Sequence, residues 1–320
     1  SCFDIDPFPI VAPGNFFVSQ GALAGWTEVE VQRAIALAIE DVINAVDVGD
    51  PNHWLNVSIH LGPAPTTLPA QRLNVAVGQS PGYGAALGVT PRPGDYNNSA
   101  ATDTVVAAVF LDNIDNLGAS LVTYDTASDA INAIAGTATH EICHVFAADH
   151  VVTSADAPAP LPIMAVESSG LPTAARLTER RFSNDQPEPV SNSDLLVTNI
   201  GAAARGDLNF NAVVDESDLA VLTANRRQSD RSRIEGDATG DHWVDGADAG
   251  YLIANWTAAS FAESGMPWPT SSAEPPARAG AGSLAVPEPD GRLVVLMLAA
   301  GILGHGAARP GVRRCTRQNV

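Results

Sequence analysis

The sequence predicts an α+β fold, and three observations carry that reading. Residues 27–46 and 127–148 each place apolar residues at helical spacing. Between them, 55–61, 72–78 and 104–113 alternate or run apolar as strands do. Further on, 206–256 hold an internal repeat whose two copies each lead into a short apolar segment. Hydrophobic residues are 45% of the 320, enough for a sizeable core, and the length allows one large or two smaller domains. A formal net charge of −19 argues against nucleic acid, because phosphate binding needs a basic face. It suits a soluble extracytoplasmic protein, or one whose carboxylates hold cations. Cys2, Cys143 and Cys315 are odd in number and far apart, so neither a disulfide framework nor a CxxC zinc site is implied.

The elements follow in order. Residues 1–25 read as an irregular entry. Thr27 is the expected N-cap of the first helix, with Glu30 three residues later completing a capping box. Val31, Ala34, Ile35, Leu37, Ala38, Ile39, Val42 and Ile43 make its apolar stripe. "LNVSIHL" (55–61), "RLNVAVG" (72–78) and "TVVAAVFLDN" (104–113) are strand candidates, with a Pro/Gly-rich loop at 80–95 and a further short strand at 121–124. A long helix over 127–148 and a closing helix over 171–183 complete a first domain, 1–190. A linker, 191–205, leads to the repeat domain, 206–258. An Ala/Ser/Pro/Gly-rich linker, 259–285, precedes a tail, 286–320.

The long helix carries "HEICHVFAADH" (140–150). His140 and His144 at i and i+4 lie ~40° apart in rotation and ~6 Å apart along a helix, so both rings reach one ion. Glu141, beside the first histidine, is placed to hold a metal-bound water. On a continued helix His150 would point ~120° away from His144, so it ligates only if the chain turns sharply between them. HExxH arises by chance about once in 10² chains of this composition, and with a third histidine at this spacing about once in 10⁴. Cys143 reads as a buried small residue, and His60 and Asp149 as structural or supporting residues.

This stretch resembles the metzincin metallopeptidases, whose pattern is HExxHxxGxxH followed by a methionine turn, and Asp149-His150 is similar to the pair of the matrixin branch. The resemblance implies one catalytic Zn²⁺ on His140, His144 and His150, Glu141 as general base, and Met164, fourteen residues after His150, as the floor of the site. It implies a twisted sheet plus an active-site helix, a protein or peptide substrate, and an edge-strand role towards substrate for 105–111. Three neutral imidazoles leave zinc an open position for a water whose proton Glu141 takes and passes to the leaving amine. One position departs from the pattern: Ala147 stands where the family has glycine. Alanine in a left-handed turn costs about 1–2 kcal/mol.

"GDLNFNAVVDESDLAVLTAN" and "GDATGDHWVDGADAGYLIAN" align at an offset of 30. Asp207, Asn209, Asn211, Asp215 and Asp218 fall at loop positions 1, 3, 5, 9 and 12, and Asp237, Thr239, Asp241, Asp245 and Asp248 repeat them. That is EF-hand-like oxygen spacing for up to two Ca²⁺, although Ala212 and His242 occupy position 6, the usual glycine. The pair resembles a type I dockerin, a small α-helical module with two calcium loops, which implies docking to a cohesin-type receptor.

The tail reads "VPEPDGR", then "LVVLMLAAGILGHGAA" (293–308), then arginines. It resembles a PEP-CTERM sorting signal, which implies export, an exosortase-type processing enzyme, and membrane contact through this tail alone. The expected function is an exported zinc-dependent endopeptidase, extracellular or attached to a bacterial cell envelope. The alternatives are a catalytically impaired adhesive or scaffold protein acting through the dockerin, and a zinc hydrolase of a non-protein amide.

Overall fold

The structure, a computed structural model, describes residues 21–61, 71–78, 86–90, 105–114, 126–152, 161–166, 176–177, 180, 182, 192–256 and 294–300. The expected strand at 121–124, the linker 259–285 and most of the closing helix 171–183 lie outside them. The described part is a mixed α+β molecule.

Helix α1, Glu28–Asn44, begins where Thr27 caps it: Glu30 N–H donates to the Thr27 hydroxyl (3.3 Å) and Thr27 N–H to the Glu30 carboxylate (2.7 Å). Such a cap contributes about 1 kcal/mol. Val31, Ile35, Ile39, Val42 and Ile43 bury one face, as their spacing predicts. The chain then enters strands β1 (His53–Leu55), β2 (Val57–Leu61), β3 (Gln71–Gly78), β4 (Gly88–Val89) and β5 (Val105–Phe110). The segment expected as a loop at 80–95 therefore contains a short strand.

A five-stranded sheet follows the order β2, β9, β3, β5, β4, where β9 is Val294–Ala300. All neighbours are parallel except β4, which runs antiparallel to β5 and forms one edge. Two expectations need correction. Strand β5 is not an edge strand; β3 and β4 flank it. The apolar run at 293–308, expected at a membrane, is over Val294–Ala300 a central strand between β2 and β3. A continuous apolar stretch satisfies a central parallel strand as well as a bilayer, so its pattern does not separate the two. Among the described residues no helix is long and apolar enough to cross a membrane.

Helix α2, Ala127–Val145, starts at a second capping box, Thr126 with Asp129. Its small residues Ala130, Ala133, Ala135 and Ala138 are buried, and Ile134 and Ile142 join Ile35 and Ile39 of α1 and Val75, Val77 and Val109 of the sheet in one core. After α2 come β6 (Val151–Val152) and β7 (Ala165–Val166), paired in parallel. The stretch expected as a linker, 191–205, is instead helix α3 (Asn192–Ile200) and strand β8 (Ala202–Ala204), which pairs antiparallel with β1. Leu196 and Ile200, four apart, are buried in the main core with Val197 packed against it, and these apolar anchors seat the short helix.

The repeat forms helices α4 (Glu216–Asn225) and α5 (Gly246–Asn255), capped by Asp215 and Asp245. Its small core is itself repeated at the offset of 30: Leu208, Val214 and Leu222 meet Ala238, Val244 and Leu252. Gly206 and Gly236 have φ of 105° and 112°. A Cβ on Gly206 would lie 2.8 Å from Leu252 Cα, and one on Gly236 3.1 Å from Leu222 Cα. Each copy's glycine thus admits the other copy's helix.

Candidate metal centre

The sharp turn that His150 requires is present, and the hydrogen bonds show how it is made. Helix α2 ends at Val145. Ala147 N–H donates to His144 O and Ala148 N–H to Cys143 O, both at 3.1 Å, while Ala147 adopts φ 65°. This is a Schellman termination with alanine in the left-handed position that glycine usually fills. Cys143 and Ala148, the residues such a turn brings together, are both buried. Beyond it, His150 precedes β6, and Val151 N–H donates to Met164 O (2.8 Å). The third histidine is therefore tied to the segment carrying Met164.

The three Nε2 atoms converge. His140 lies 3.2 Å from His144 and 3.1 Å from His150, and His144 lies 2.9 Å from His150. Metal–nitrogen bonds of 2.0–2.1 Å at tetrahedral angles place donor nitrogens ~3.3 Å apart. The outer nitrogens fix the rings: His140 Nδ1 donates to Ile163 O (3.0 Å) and His144 Nδ1 to Ala148 O (2.9 Å). With the proton on Nδ1, each Nε2 offers a lone pair to the shared point. Burial pushes the His140 imidazolium down to about 3 against the Ile163 hydrogen bond, and burial also lowers His144. His140 and His144 are therefore held neutral, and facing lone pairs at this distance repel unless a cation sits between them. The donor set fits Zn²⁺ and other cations that take imidazole nitrogen. Among the described residues this trio is the one group of three or more His, Cys, Asp or Glu side chains whose ligand atoms lie within 4.8 Å of one another.

Glu141, the residue after His140 on α2, is buried. Burial raises its carboxyl to about 7, opposed by the Thr90 hydroxyl, which lies 2.8 Å from Oε2 and 2.7 Å from the Glu141 carbonyl. Gly88 of the edge strand packs on the same carboxylate: a Cβ there would fall 2.7 Å from Glu141 Cγ and 2.9 Å from Oε1. Met164 is fully buried in the core with Ile163 and Phe146. Cys143 is buried too, its thiol raised beyond the usual range by desolvation, and it is not among the converging atoms.

The residues of the two loops expected to hold calcium form an ordered arrangement of a different kind. Asp207 accepts the amides of Asn211 and Ala212, both at 3.0 Å, and Asp218 Oδ1 accepts those of Leu208 (2.8 Å) and Asn209 (3.1 Å). Asp237 and Asp248 repeat this on His242, Ala238 and Thr239. Asn209, Asn211 and Asp215, with Asp241 and Asp245, each accept the amide two residues on. Thr239 differs, its hydroxyl donating to Asp237 (3.0 Å). Ala212 and His242 have φ of 66° and 63°, so both position-6 residues take the conformation that glycine would. The loop carboxylates do not gather within 4.8 Å in threes.

Four supporting residues carry no signal in the sequence. Gly88 and Thr90 sit in a Pro/Gly-rich stretch. Asn192, on α3, donates to Asp149 O (3.1 Å) and braces the chain beside His150 from a segment read as linker. Arg180 stands in "ARLTERRF", where nothing sets it apart from Arg176 and Arg181. Comparison with protein-family models, with curated proteins and with solved structures returned no match.

Proposed function

We propose that this chain is an exported zinc-dependent endopeptidase of metzincin type, carrying a calcium-binding dockerin-like repeat. One observation supports the reading above the rest: three imidazoles, two of them held by backbone carbonyls, present Nε2 atoms 2.9–3.2 Å apart, and the residue after the first of them is a buried glutamate. Zinc bound there supplies a Lewis acid and an activated water. The protein's part is orientation and proton handling. The carbonyls of Ile163 and Ala148 hold two rings in the tautomer that binds metal. Glu141, with its carboxyl raised to about 7, is poised to accept a proton from an attacking water and return it to a leaving amine near neutral pH. Gly88 leaves room for that carboxylate, and Thr90 orients it.

The substrate class follows from the resemblance. Val213 and Trp243, equivalent residues of the two copies, and Ile253 are exposed apolar side chains of the repeat, which supports a protein partner such as a cohesin-type receptor.

The test uses the full chain. The expected result is one zinc per molecule and hydrolysis of a denatured protein. Glu141→Ala should keep the zinc and lose activity by 10²-fold or more, about what general acid–base catalysis contributes. His150→Ala should lose the zinc. Equal activity in wild type and Glu141→Ala, or a wild type that binds no zinc, sinks the reading.

A further inference from the structure

Arg180 is 3% exposed, yet among the described residues no carboxylate faces it. Its surroundings are Gly136, His140 and Cys143, one stripe of α2, together with Ile163. Desolvation lowers the guanidinium to about 10, with Arg176 adding in the same direction. Nε makes no hydrogen bond. Nη1 donates to the carbonyl of Ile163 at 3.3 Å. A buried cation without a counter-ion costs several kcal/mol, and an aliphatic side chain would fill the same space without that cost.

The shared carbonyl supplies a reason. Ile163 O also accepts from His140 Nδ1 at 3.0 Å. Two donors from different segments pin one acceptor, and that acceptor sets the plane and tautomer of the first histidine. Gly136 belongs to the same device. A Cβ built there would lie 2.9 Å from Arg180 Nη2 and 3.0 Å from Nε, so the guanidinium reaches Ile163 over a helix position without a side chain. The neighbouring segment is registered on the same helix, since Asn132 Nδ2 donates to Leu177 O (3.1 Å).

We propose that Arg180 is a positioning residue for His140, acting through the Ile163 carbonyl that both side chains share, with Gly136 as the gap that lets it reach. The inference rests on the metal-centre reading. Its test is zinc affinity by chelator competition and the visible spectrum of the Co²⁺-loaded full chain. Arg180→Met should weaken zinc binding about tenfold, at the low end for a partner of a metal ligand, and shift the Co²⁺ bands. Arg180→Lys, which keeps a donor, should recover part of both. Gly136→Ala should reproduce the loss with Arg180 still present, although alanine favours the helix. It also keeps the question answerable if Arg180→Met fails to fold. Wild-type affinity and spectrum in Gly136→Ala, or in a folded Arg180→Met, overturn the inference and leave the zinc reading standing. A wild type that takes up no zinc or Co²⁺ overturns both.

Discussion

At the scale of single residues, Ala147 is where local preference and tertiary demand conflict. The turn needs a left-handed residue to bring His150 to the other rings, and the chain supplies alanine at φ 65°. Replacing it with glycine removes a steric cost of about 1–2 kcal/mol and adds about 0.4–1 kcal/mol of unfolded-chain entropy. Ala147→Gly should therefore stabilise the metal-free protein by about 0.5–1 kcal/mol in urea denaturation, with zinc affinity unchanged or higher. Destabilisation would mean that the helix does not end in this turn. Thr90 and Gly88 teach the complementary lesson. Each is unremarkable alone, and each matters because β4 lays it on Glu141.

At the scale of elements, the two loops repeat one design. In each, carboxylates at positions 1 and 12 accept loop amides, so the backbone is already shaped before an ion arrives. Ala212 and His242 carry strain that a bound ion would offset, as ligands from both sides of the turn hold it closed. Calcium should raise the melting temperature of the full chain, by linkage about 2.7 kcal/mol at a hundred times its dissociation constant. Asp207→Asn and Asp237→Asn should each remove part of the gain. A melting curve that ignores both calcium and chelator would show that the loops bind no calcium.

At the scale of the molecule, the repeat is not a tethered appendage. Strand β8 pairs with β1, and Arg205 N–H donates to Asn52 O (2.7 Å). Arg33 and Glu235 form a two-pronged ion pair at 2.8 and 2.9 Å, and His242 meets Asp41 at 3.0 Å. Between them lies buried Arg233, its guanidinium 3.7 Å from the Trp54 ring centre and 4.2 Å from that of Phe210, donating to Leu55 O (2.9 Å). Its backbone N–H donates to Glu40 (2.9 Å). Glu40 is the cost of this junction: burial raises its carboxyl from 4.5 to about 7, although Arg233 pulls the other way. Below pH 4.5 the acid is neutral whether folded or unfolded, and its contribution is complete. From there to about pH 7 the unfolded chain ionises and the folded one does not, so stability falls, by of order 3 kcal/mol. Glu40→Gln should remove this slope, so the variant gains on the wild type between pH 4.5 and 7.5 in denaturant titrations. Parallel pH profiles for the two proteins would place Glu40 in water rather than in this junction.

The sequence by itself determined what depends on near neighbours: the Thr27 cap and stripe of α1, the helix presenting His140 and His144, and the two loops with their reciprocal spacing. Those follow from 3.6-residue periodicity and from side chains reaching amides a few positions away. It also stated a condition, that the chain must bend after His144, without showing that alanine would comply. Tertiary structure decided the rest. It turned the expected linker into α3 and β8, because a few apolar anchors find the core, and it set 294–300 within the sheet. It brought Thr90, Gly88 and Arg180 to the site from positions 40 to 53 residues away from those they serve, Glu141 and His140. Contacts over such separations leave no period in the sequence, because their partners become neighbours only when the chain closes on its core.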